Sequence, residues 1–114
     1  MSFGSQVRFD ALKQVPFSSI GVNYQVIGDK VGNACRQVVF NNALDQAVYI
    51  SFDGVTDNLR LQPNSVKLFD FTSNKARDNG WFLDKGTQIW IKQVSAASSV
   101  GDFWVELVYG KGAR

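Results

Sequence analysis

Residues 34–54 read ACRQVVFNNALDQAVYISFDG, two strand patterns joined by a polar turn and closed by Asp53-Gly54. In the second half, Val48, Ile50 and Phe52 point one way while Tyr49 and Ser51 point the other. Period-two alternation of this kind marks a strand with one buried and one solvated face. In residues 36–41, Val38 and Phe40 share one side and Gln37 and Val39 share the other. Asn41-Asn42 opens the intervening turn, and Asp53-Gly54 ends the second strand with residue types that tolerate positive φ. The stretch predicts amphipathic strands and an all-β fold.

Composition agrees. Val, Ile, Phe, Tyr and Trp supply 34 of the 114 residues, whereas Glu occurs once, at Glu106. Glu is abundant on solvated helices, so its scarcity argues against any long surface helix. A hydrophobic content of 45% with 19% charged residues places the chain among globular proteins and not disordered ones. The length suits one domain that buries its own core.

Outward from the opening stretch, strand patterns recur. Residues 23–27 (NYQVI) form a short strand before the turns at Gly28-Asp29-Lys30 and Gly32-Asn33. Leu59 and Leu61 lead to the Pro63-Asn64 turn, and residues 66–71 follow as a strand apolar on both sides, predicted to be covered on both. Residues 72–80 are a polar connection. Residues 81–83 and 87–93 flank a tight turn at Asp84-Lys85-Gly86, with Ile89 and Ile91 opposite Trp90. In residues 102–109, Phe103, Val105, Leu107 and Tyr109 oppose Trp104, Glu106 and Val108. Turn signals every ~8–12 residues predict a single-domain antiparallel β-sandwich, jelly-roll or immunoglobulin-like, of about 7–8 strands. Residues 18–110 make that sandwich. Residues 1–17 read either as an edge segment folded onto it or as an arm reaching a neighbouring subunit. Residues 111–114 form a short basic tail.

Several chemistries are excluded. The chain has no histidine, which removes Ser-His-Asp and Cys-His catalysis and the common zinc sites. Cys35 is the only cysteine, so it reads as a small core hydrophobe without a disulfide partner. Six of the nine Asp residues, Asp53 among them, fall in predicted turns, where local hydrogen bonding favours them. Asp53-Gly54-Val55-Thr56-Asp57 lacks the spaced ligands and terminal Glu of an EF-hand. A net charge of +2, with scattered basic residues, gives no footprint for specific nucleic-acid binding. Residues 1–14 lack the basic start, apolar run and cleavage site expected of a signal peptide, and no stretch approaches the ~18–20 apolar residues of a membrane span. The reading is of a chain used in the cytoplasm or exported without a cleavable signal. No enzyme activity, cofactor or metal is expected.

Aromatic residues are in surplus, at fifteen. Most belong in a sandwich core. Tyr49, Trp90 and Trp104 lie opposite the aliphatic faces of their strands, where a second layer, a protein partner or a stacked sugar ring would cover them. Phe3, Phe9 and Phe17 are the candidate anchors of the N-terminal segment.

The segments VVFNNALDQAVYISFDG (38–54), LRLQPNSVKLFDF (59–71) and LDKGTQIWIK (83–92) resemble small virion structural proteins of tailed bacteriophages. The resembling elements are Phe40-Asn41, the Ser51-Phe52-Asp53-Gly54 turn, and Lys85-Gly86-Thr87 leading into Ile89-Trp90. The resemblance implies a protein of the capsid, neck or tail, assembled in the host cytoplasm and partnered by itself and other virion proteins. It transfers no active-site residue. The alternative is a carbohydrate- or receptor-binding β-sandwich module that uses the same aromatics.

Overall fold

The computed structural model describes residues 5–70 and 83–112. Among them nine strands follow in order: β1 (Ser5–Phe9), β2 (Lys13–Pro16), β3 (Gln25–Val26), β4 (Cys35–Asn42), β5 (Val48–Ser51), β6 (Leu59–Leu61), β7 (Ser65–Asp70), β8 (Trp90–Gln93) and β9 (Asp102–Gly112). A single 3-10 turn spans Phe17–Ser19. The expected polar connection at 72–80 and the first two residues of the 81–83 strand lie outside the described residues; Leu83 itself bridges to Cys35.

β4 shows how the sequence pattern becomes a buried face. Val38, Phe40 and Asn42 alternate inward, and a bulge at Arg36 resets the phase so that Cys35 also faces the core. β9 turns Phe103, Val105 and Leu107 inward, and β5 contributes Val48 and Ile50. Phe40 sits at the centre of an aromatic group, 6.2 Å from Phe52, 5.9 Å from Phe69 and 6.4 Å from Phe103 between ring centroids. The Phe52 and Phe69 contacts are edge-on, an arrangement favoured by the ring quadrupoles.

All pairing is antiparallel, in two sheets. Sheet A has the order β1-β9-β4-β7, with β2 following β1 along the same edge of β9. Sheet B has the order β3-β8-β5-β6. Because β1 and β2 share one position, the nine strands fill eight places, four in each sheet. The pairs β1/β2 with β9, β3 with β8, β4 with β7 and β5 with β6 are nested about the β5–β6 connection. Such nesting is that of one long antiparallel hairpin, which the lateral pairs β4–β9 and β5–β8 roll into a sandwich. This is jelly-roll topology. It differs from the immunoglobulin arrangement, in which strands ABED form one sheet and CFG the other.

The two strands of the 34–54 stretch lie in opposite sheets, so their polar turn is a corner of the sandwich. Asn42 holds that corner from within the core. Its amide Nδ2 donates to the carbonyls of Gln46 (3.2 Å), Leu61 (3.4 Å) and Gln62 (3.0 Å), and its Oδ1 accepts the Leu44 N–H at 3.0 Å. On the other side of the corner Gly101 has φ 98°, and a Cβ there would lie 2.1 Å from the Ala43 carbonyl oxygen, so only glycine fits.

Segment 1–17 contributes β1 and β2 to this chain's own sheet A, while Phe3 lies outside the described residues. β9 continues through Lys111 to Gly112, carrying the strand two residues into the expected tail. β7 departs from expectation. Phe69 packs on the core, but Val66 and Leu68 are 61% and 58% exposed, so the strand is covered on one side only.

Candidate functional site

The pleat and register of the two sheets decide which side chains face outward. On sheet B, Tyr49 of β5 pairs with Lys92 of β8 on one side and Arg60 of β6 on the other. Tyr24, immediately before β3, joins this row: the Lys92 ammonium lies 4.7 Å from the Tyr24 ring centroid and 5.7 Å from that of Tyr49. Trp90 and Val26 pair in the next row. Cations alternating with aromatic rings attract through the ring quadrupoles, by ~0.5–1 kcal/mol at an exposed site. Asp57 completes the cluster, accepting the Tyr24 hydroxyl and lying 3.4 Å from the Lys92 ammonium. Burial, followed by the hydrogen bond to Asp57, holds the Tyr24 phenol above its ordinary range. A phenol kept protonated donates a hydrogen bond and does not act as a nucleophile.

At the end of this face, the loop after β5 meets the start of β8 in an open groove of about 600 Å³. Phe52, Asp53, Asp84, Thr87, Gln88 and Trp90 line it among the described residues. Gly54, at φ 80°, rests against the Trp90 indole; a Cβ there would come within 3.0 Å of the ring. Asp53 shapes the loop. Its Oδ1 accepts the N–H groups of Thr56 (2.7 Å) and Val55 (2.8 Å) and the Ser51 hydroxyl (2.8 Å). These bonds hold its carboxyl well below the usual carboxylate range. An aspartate so occupied is a turn former and a poor proton acceptor. The Cys35 thiol is pushed up to about 11 by burial and then by Asp10, which leaves it unreactive at neutral pH. Among the described residues no three His, Cys, Asp or Glu side chains gather to hold a metal ion.

Sheet A presents a different outer face. Trp104, Glu106 and Val108 project from β9, opposite Asn41, Val39 and Gln37 of β4. Val66, Leu68 and Asp70 of β7 flank them on one side, and Phe9 of β1 pairs with Val108 on the other. Phe9, on the β1 edge, is 75% exposed, Val66 and Leu68 are exposed on the β7 edge, and half-buried Val108, Trp104 and Val39 link the two edges around Glu106. Isolated exposed apolar residues are ordinary, whereas a contiguous set on one sheet face marks an interaction surface.

The six aromatics singled out from sequence are therefore divided. Tyr49 and Trp90 share the outer face of sheet B, while Trp104 and Phe9 share that of sheet A, so Trp90 and Trp104 lie on different faces of the sandwich. Phe17 stands at the 3-10 turn, 37% exposed, and Phe3 is outside the described residues. Sequence reasoning passed over Tyr24, Asp57 and Lys92, whose meeting depends on β3 pairing with β8. It also passed over Val66 and Leu68, although the double-sided apolarity of β7 was a visible signal. Compared with family models, curated proteins and solved structures, the chain matches none.

Proposed function

We propose that this chain is a non-enzymatic structural protein of a bacteriophage virion, acting through protein–protein contacts in a capsid, neck or tail assembly. The observation that carries this reading is the exposed apolar face of sheet A, presented on a jelly-roll scaffold. Interface centres are enriched in aromatic and aliphatic side chains, and Phe9, Val39, Val66, Leu68, Trp104 and Val108 give this face that character around one interior acid, Glu106. Jelly rolls also serve as lectin and enzyme scaffolds, so fold alone does not choose between them. The sequence resemblance in segments 38–54, 59–71 and 83–92 favours the virion. The expected outcome is concentration-dependent self-association by sedimentation velocity across the micromolar range, with rings, tubes or shells in negative-stain micrographs. A protein that stays strictly monomeric throughout that range counts against assembly.

The groove beside Trp90 supports a second reading, a carbohydrate- or receptor-binding module. An indole and a phenyl ring set among carboxylate, amide and hydroxyl groups suit a stacked sugar ring. Glycan-array binding that disappears in Trp90→Ala, with the circular dichroism spectrum unchanged, would establish this alternative.

A further inference from the structure

The two outer faces differ in charge. Between Gln37 and Asn41 of β4, Trp104 and Val108 of β9, and Val66 and Asp70 of β7, the outward positions hold no lysine or arginine. They hold two acids. Asp70 stands at the sheet margin with an interaction of its own. Glu106 stands in the interior, exposed, with Trp104 and Val108 along its strand and Val39 across from it. Face B is cationic and aromatic: Lys92 on the interior strand β8 and Arg60 on the edge strand β6 flank Tyr49, and Arg60 is exposed. Asp57 answers Lys92 from the loop side.

We propose that copies of this chain stack head to tail, with face A of one copy seated on face B of the next and Glu106 meeting Arg60. This rests on the assembly reading and names the partner and the surface. Two observations favour face B as occupant over a second face A. An A-to-A contact would bring two Glu106 carboxylates into one apolar patch, where like charges in proximity are costly. An A-to-B contact sets a carboxylate against a guanidinium and lays Trp104 and Phe9 over the Tyr49–Trp90 side. The two patches lie on opposite faces of one sandwich, so the contact is heterologous. It propagates as an open stack, or closes as a ring where the rotation between copies permits.

Charge reversal tests this directly, because Glu106 and Arg60 are both solvent-exposed positions outside the core. Sedimentation velocity is run on the wild type, Glu106→Lys, Arg60→Glu and the double variant, with thermal melts confirming the fold. Each single reversal is expected to weaken self-association about tenfold or more, and the double variant to recover most of the loss, since it restores opposite charge across every contact. Unchanged association in Arg60→Glu, or a double variant weaker than both singles, overturns the face pairing while leaving assembly itself standing. A wild type that remains monomeric overturns both.

Discussion

At the scale of single residues, the polar groups that matter are those that finish a corner or a loop. Asn42 satisfies four backbone groups at once, where β4 leaves sheet A and the chain crosses to β5. A buried carbonyl or N–H without a partner costs far more than the net value of the bond it lost. Asn42→Ala is therefore expected to lower unfolding stability by about 3 kcal/mol, measured by urea denaturation. Asp53 acts differently, because it is exposed and its bonds require the ionised carboxylate. A carboxyl depressed in the folded state contributes stability above its unfolded value of ~3.9, and that contribution is lost as pH falls through the folded value. The expected result is a stability that declines on acidification below pH ~4, and declines less steeply in Asp53→Asn, by thermal melts across that range. The sequence marked Asp53 as a turn former from its neighbour Gly54. It gave no sign of Lys13, which is buried and donates from Nζ to the Asp29 carbonyl, because an alternating lysine reads as a solvated one.

At the scale of strands, period two was readable wherever one face is dry and the other wet. β4, β5 and β9 were legible for that reason. The bulge at Arg36 was not, since nothing local announces an extra residue, yet it is what turns Cys35 inward. β7 misled in an instructive way. Its two apolar sides suggested burial on both, whereas only Phe69 faces the core, edge-on to Phe40 at 5.9 Å. Removing Phe69 empties part of that aromatic group, and Phe69→Ala is expected to cost about 2 kcal/mol. Leu68→Thr, one residue away on the open face, is expected to stay within about 0.5 kcal/mol of wild type. Chemical denaturation of the pair separates them. If the two substitutions proved equally costly, β7 would be covered on both sides after all.

At the scale of the whole molecule, strand existence was readable but strand partnership was not. Among the described residues, only β5 and β6 are both consecutive in sequence and paired. Every other pair joins strands separated by other strands, and no local pattern encodes which distant partner a strand will choose. The candidate faces depended on that choice. Tyr24 meets Lys92, and Phe9 meets Val108, only because the ribbon rolls up, so the division of the aromatics into two opposite surfaces emerges from topology. The same nesting sets the order in which the protein can form. β9 is clasped between β1/β2, from the beginning of the described chain, and β4, from its middle. Closing loops of that length is entropically costly, and folding slows as native contacts become more distant in sequence. During synthesis, β4 waits beside an unfilled position until β9 has left the ribosome. Sheet A, and with it the face that surrounds Glu106, is completed only by β9, after every strand of sheet B has been made, so the surface proposed for assembly is absent until then.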